Sequence, residues 1–205
     1  MSTLKSKIMT FLTSNPAIAK INFDFNGVKI WPGAYKDVAD AMDRGDILLT
    51  ITRNIEAGAS AAYNPETDEF KVSPSFDIRY PGSCAVLIHE STHAYLDRLS
   101  MGCLVVKTGE ACGYLAQATF LELNGLDPLG NVADILTVAI GIARDTVIPG
   151  NYTIGPSDVT RLESMIVSNP LYHGRASAVF MSNGFTRGIS AGLKRNFTAP
   201  WNVQE

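Results

Sequence analysis

Ser83-Cys84-Ala85-Val86-Leu87-Ile88-His89-Glu90-Ser91-Thr92-His93-Ala94-Tyr95-Leu96-Asp97-Arg98-Leu99 is dense in apolar residues and free of strand punctuation. That pattern predicts a largely buried helix. Inside it stands His89-Glu90-Ser91-Thr92-His93, the pattern HExxH. Residues at i and i+4 share one helix face, so two imidazoles can converge on a single cation. Glu90, turned by about 100° from His89, can reach a water on that cation without ligating it. Zinc favours such nitrogen ligands and, where it is catalytic, keeps one position open for water. The metal lowers the pKa of that water, and Glu90 is placed to accept its proton as general base. With three histidines and eight glutamates in the chain, chance placement of the pattern comes to roughly 0.002. The competing reading is an amphipathic surface helix with two solvated histidines. The apolar flanks Ala85 to Ile88 and Ala94 to Leu96 oppose it, because a buried His-Glu-His cluster needs partners to offset its lost hydration.

A third ligand must come from elsewhere. Asp97 lies about 12 Å along the helix axis from His89, too far to share one ion easily. The extended pattern with a glycine and a third histidine beyond HExxH is absent, since Leu96 and Leu99 occupy those places. Met101-Gly102 breaks the chain, and Gly109-Glu110 opens a second helix running to about Leu123. If that helix turns back antiparallel it brings Glu110 beside the histidines, and His2Glu is an established catalytic zinc set. The alternatives are His173, or a thiolate from Cys103 or Cys112, which flank Glu110. The simpler reading of all three cysteines, Cys84 included, is small core hydrophobes. Amide hydrolysis also needs a proton donor for the developing oxyanion. Tyr172 and His173, in Asn169-Pro170-Leu171-Tyr172-His173-Gly174-Arg175, are the candidates, against the reading that His173 is a loop residue with no role. Tyr95 and Asp97 read as supporting or packing residues.

Upstream of the metal helix the periods are shorter. Residues 4–14 read as a helix stopped by Asn15-Pro16, and residues 21–30 as a tight hairpin around Asn26-Gly27. Residues 35–44 read as a helix ended by Gly45. Strands follow at residues 47–52, 60–63 and 70–72, the last two joined by the turn composition of residues 64–68 in a second hairpin of a small antiparallel sheet. Downstream, residues 131–143 read as a buried helix, Ser157 caps another that Pro170 ends, and residues 175–181 suggest one more. The fold class is therefore α+β, one domain over residues 1–205. A sheet-rich lobe spans about residues 1–79, and a helical lobe carrying the metal site spans about 80–205.

Composition bounds the function. A 46% hydrophobic and 18% charged chain is not disordered, and a net charge of −3 gives no footprint for nucleic acid or an anionic membrane. No apolar run approaches the roughly 20 residues of a membrane span. Three sparse cysteines argue against a disulfide framework, and residues 1–20 lack a secretory apolar core. The default expectation is the cytoplasm, with secretion by a signal-independent route as the alternative.

His89-Glu90-x-x-His93 followed by Glu110 in Glu110-Ala111-Cys112-Gly113-Tyr114-Leu115-Ala116-Gln117 resembles the gluzincin branch of zinc metallopeptidases, above all its small, minimal members. The preceding Ala61-Ala62-Tyr63-Asn64-Pro65 is similar to the edge-strand hairpin that precedes the metal helix in that group. The resemblance covers about residues 48–123. It implies a zincin-like fold, zinc held by His89, His93 and Glu110, Glu90 as catalytic base, and a peptide or protein substrate. The gluzincin pattern often carries an aspartate four residues after the glutamate ligand to support a histidine. Tyr114 stands there, so the resemblance assigns no residue to orient His89. Two other outcomes are compatible with the motif: a non-catalytic, zinc-stabilised binding protein, and a zinc hydrolase of a non-peptide amide.

Overall fold

The computed structural model describes residues 3–55, 59–99, 104–126, 133–179 and 182–185. Helix α1 (Leu4–Ser14) begins where the Thr3 hydroxyl accepts from the Ser6 amide and ends before Pro16. Strands β1 (Phe23–Phe25) and β2 (Val28–Ile30) form the expected hairpin, Phe25 facing Val28. Asn26 and Gly27, at φ 54° and 83°, make the left-handed turn that matches the twist of the strands. Phe23, Phe25, Val28 and Ile30 are all buried. Helix α2 (Pro32–Arg44) starts three residues earlier than the apolar spacing predicts, because Pro32 is suited to a first turn that needs no amide donor.

Strands β3 (Leu48–Ile51), β4 (Ala61–Asn64) and β5 (Glu69–Val72) form a second sheet in the order β3-β5-β4. The β4–β5 hairpin is antiparallel, with Tyr63 opposite Phe70, but β3 runs parallel to β5. The single small antiparallel sheet expected from sequence is thus two separate sheets, one of them mixed. Alternation of apolar residues reports which face of a strand is buried, not the direction of its neighbour. The register leaves β4 at an edge. Ser73 donates to the Ser60 carbonyl, so the bonded pairs fall at Ser60, Ala62 and Asn64. The main-chain groups of Ala61 and Tyr63 point away from the sheet.

The helical part is built on α3 (Pro81–Arg98) and α4 (Val106–Leu123). Helix α3 packs against α2, α4 and β4, and α4 packs against α5 (Ala133–Ile142) and α6 (Pro156–Ser168). Between them, α5 continues into a π-helical turn, Ala143–Val147. Side chains from both main helices and both sheets join one apolar core, in which Tyr35, Phe70, Leu87 and Ile88 are fully enclosed. Cys84 and Cys112 are buried free thiols, and Cys103 lies outside the described residues, as does the Met101-Gly102 break.

Three further differences from expectation lie in the helical part. Helix α4 begins at Val106, so Glu110 sits in its second turn. The amides of Val106 and Lys107 donate to the carbonyls of Ala178 and Ala176, partners some seventy residues away that local sequence cannot announce. Helix α6 starts at Pro156 behind Gly155, without a Ser157 cap. Residues 173–177 form a turn after a 3-10 turn at Pro170–Tyr172, and Val179 bridges to Val105. The helix expected over residues 175–181 is therefore not formed up to residue 179, and its last two residues lie outside the described ones. Among the described residues no helix is long and apolar enough to cross a membrane.

Candidate metal centre

His89 and His93 stand one turn apart on the face of α3 that meets α4, each 7% exposed. Their Nε2 atoms are 3.0 Å apart, and Glu110 Oε2 lies 3.5 Å from the first and 3.6 Å from the second. Glu110 meets both histidines while Gln117, two turns later on α4, meets His89. The two helices are therefore antiparallel, as the placement of Glu110 required. Three donor atoms separated by 3.0, 3.5 and 3.6 Å lie on a circle of about 2.0 Å radius, the length of a bond from a transition metal to nitrogen or oxygen. The donor set fits: His89, His93 and Glu110 could hold a metal ion.

Helix α4 is shaped around this cluster along one stripe, Glu110, Gly113, Tyr114 and Gln117. Gly113 lets the His89 imidazole lie on the helix backbone; a Cβ there would fall 2.9 Å from Cε1 and Nε2 of that ring. Tyr114 packs edge-on to it at 4.7 Å between centroids. Gln117 Oε1 stands 3.1 Å from His89 Nδ1. A carbonyl oxygen only accepts, so Nδ1 carries the proton and the Nε2 lone pair faces Glu110 and His93, the tautomer that a metal ligand needs. Gln117 thus holds the orienting place that the sequence left without a residue. Neither it nor Gly113 was singled out there; their spacing from Glu110, i+7 and i+3, was the available signal.

Tyr172 is brought to the site and His173 is not. The Tyr172 phenol donates to Glu110 Oε2 at 2.8 Å, which leaves the Tyr114 hydroxyl to donate to Tyr172 at 2.8 Å. The Arg175 guanidinium lies over the Tyr172 ring at 5.1 Å. The segment that carries Tyr172 is tied down by the same Ala176 and Ala178 carbonyls that cap α4. His173, the next residue, is exposed and stands outside the cluster. Asp97 is also outside it: fully buried, it accepts from the Tyr63 hydroxyl at 2.6 Å and from the amides of Asn183 and Gly184. Cys112 is not in the cluster either, and burial pushes its thiol well above the ordinary range, which makes it a core residue.

Glu90 stands outside this set of three donors. Its Oε2 accepts from the Tyr63 amide of β4 at 2.8 Å. Burial raises its pKa, opposed by His89, His93 and that amide. Burial also disfavours the imidazolium of His93, but the Glu110 carboxylate outweighs it and the pKa rises. Burial would raise Glu110 as well, yet His93 and His89 hold it well below the usual carboxylate range. Burial, then Glu110, pushes the Tyr172 phenol far up, and burial pushes Tyr114 to about 12, so both stay neutral donors. Beside the cluster, Tyr80, Ala85, Val86, Gln117, Leu121 and Leu136 line a mainly apolar cleft of about 190 Å³. No protein-family profile, curated protein or solved structure matches this chain.

Proposed function

We propose that the chain is a zinc-dependent metallopeptidase of the gluzincin type, on a zincin-like fold, with zinc held by His89, His93 and Glu110. The observation that carries this reading is the place of Glu90. It is a half-buried carboxylate beside three potential ligands that it does not join, hydrogen-bonded to the amide of an edge strand. A structural zinc site fills its four positions with protein donors and has no use for such a group. Here the described residues offer three donors and one carboxylate in reserve.

Zinc bound there supplies a Lewis acid for the scissile carbonyl and lowers the pKa of a water it binds. The remaining work falls to the chain's own residues. An extended peptide pairs with the outward-facing main-chain groups of β4 other than the Tyr63 amide, which Glu90 holds. Glu90 accepts a proton from the attacking water and returns it to the leaving amine. The raised pKa of Glu90 suits a group that must both take and give a proton. The Tyr172 phenol, kept neutral at the site, turns its one hydrogen from Glu110 to the carbonyl oxygen as that oxygen gains charge. The neighbouring apolar cleft accommodates a hydrophobic side chain of the substrate.

The test is the zinc content of protein purified without added metal, alongside Glu110→Ala and Glu90→Gln, with turnover read on a mixed peptide library. One zinc per chain, lost in Glu110→Ala and retained in Glu90→Gln with turnover abolished, is the expected result. Zinc retained in Glu110→Ala removes the His2Glu site. Hydrolysis retained in Glu90→Gln removes the mechanism, and hydrolysis of small amides in place of peptides moves the substrate class.

A further inference from the structure

Tyr63 is bound to α3 at two places by two different groups. Its amide, turned out of the sheet by the β4–β5 register, donates to Glu90 Oε2 at 2.8 Å, and its phenol donates to Asp97 Oδ2 at 2.6 Å. Glu90 and Asp97 are seven residues apart, so they share one stripe of the helix about 10 Å from end to end. The residue lies along α3 fixed at both ends.

The two ends differ. The Asp97 end is anchored several times over. Asp97 Oδ1 accepts from the amides of Asn183 at 2.7 Å and Gly184 at 3.2 Å, and the Asp97 carbonyl accepts from Ser182 Oγ at 2.9 Å. Asn183 Nδ2 then donates to the Pro65 carbonyl at 2.5 Å, in the turn that leaves β4. At the Glu90 end, the Tyr63 amide is the hydrogen-bond donor to the carboxylate among the described residues. A carboxylate on a side chain with three torsions, held by one donor, takes its position from that donor.

We propose that Tyr63 is the positioning residue of the base. Its phenol, locked to Asp97 and through it to residues 182–184, fixes the β4 amide at the point that holds Glu90 toward the His89–His93–Glu110 cluster. This role rests on the reading of Glu90 as general base. It also joins two parts of the site, since the strand whose edge receives the peptide is the strand that holds the base.

The test reads amide hydrogen exchange at residues 62, 63 and 64 of the zinc-loaded full chain, together with zinc content and peptide turnover. The variants are Tyr63→Phe, which removes the phenol donor, and Asp97→Asn, a milder change that keeps an acceptor for Asn183 and Gly184. Both are expected to keep one zinc per chain. The residue-63 amide should exchange about tenfold faster, while Ala62 and Asn64, bonded into the sheet, keep their protection. kcat should fall with KM unchanged. Equal loss of protection at all three amides would show a clamp that merely holds the strand down, and would overturn the proposal. So would unchanged exchange at residue 63, or faster exchange there with wild-type kcat. A zinc-loaded wild type that cleaves no peptide overturns the base reading itself and this role with it, whatever the exchange rates; wild-type turnover with unaffected variants overturns the positioning role alone.

Discussion

Replacing Gly113 by alanine sets two effects against each other at one atom. In an open helix interior this change stabilises by about 0.5–1 kcal/mol, because alanine loses less backbone entropy on folding. At Gly113 the new Cβ would lie 2.9 Å from Cε1 and Nε2 of His89 and 3.1 Å from Cδ2. Carbon contacts settle near 3.5 Å or beyond, so the ring must retreat by roughly 0.6 Å. It has little room to do so. Nδ1 is bonded to Gln117, the ring edge rests on Tyr114, and Nε2 converges with His93 and Glu110. Metal–ligand distances tolerate about 0.2 Å, so a shift of this size is a ligand fault and not a packing adjustment. Overpacking costs about 1–3 kcal/mol, which outweighs the helix gain. The expected outcome is a net loss of about 1 kcal/mol in the metal-free protein and a metal affinity lowered at least tenfold, on the scale of losing an orienting partner. Thermal melts with and without metal, and competition with a chromophoric zinc chelator, measure the two separately. Gly141→Ala in α5 is the control, since an added Cβ there meets nothing within 4 Å. It should be neutral to mildly stabilising, with affinity unchanged. Wild-type metal affinity in Gly113→Ala would refute the argument that His89 lies against α4 as a ligand.

Gln117→Leu removes the acceptor at His89 Nδ1 and should lower zinc affinity about 10–100-fold with the helices intact, read by the same competition assay and by circular dichroism. Tyr172→Phe should keep its zinc and lose turnover by about 10²-fold, while His173→Ala, altering an exposed residue outside the cluster, should leave both unchanged. The metal-free protein should lose stability on both sides of mildly acid pH. Glu110, held below its ordinary value, contributes stability that is present above 4.5 and is lost as pH falls through its folded value. His93, held above 6.5, contributes stability that is complete below that value and is lost as pH rises through its folded value, and the raised pKa of Glu90 acts in the same sense. Melts of chelator-treated protein across pH measure this. Glu110→Gln should flatten the acid side, and zinc should oppose the alkaline decline because it binds the deprotonated imidazole.

The parts of the site that sequence announced are those set by a single helical period or one reversal of chain. His89, Glu90 and His93 follow from i, i+1 and i+4 on one helix, and Glu110 from a helix that had to turn back. What escaped depends on which surfaces meet. The parallel β3–β5 pair, the start of α4 under the carbonyls of Ala176 and Ala178, and the two-ended hold of Tyr63 on Glu90 and Asp97 join residues 21 to 72 positions apart. No local pattern encodes such pairings.

The orienting partner of His89 shows why. In the gluzincin pattern that the sequence resembles, an aspartate often stands one turn after the glutamate ligand; here Tyr114 occupies that turn, its hydroxyl directed to Tyr172. Gln117, a further turn along α4, meets His89 Nδ1 instead, and Gly113 makes this possible by letting the imidazole settle on the backbone between them. The exchange also suits the charges. Glu90 and Glu110 are already two half-buried carboxylates within one small volume, and a third beside His89 would raise the cost of keeping all of them ionised. A neutral amide fixes the same tautomer without adding to it.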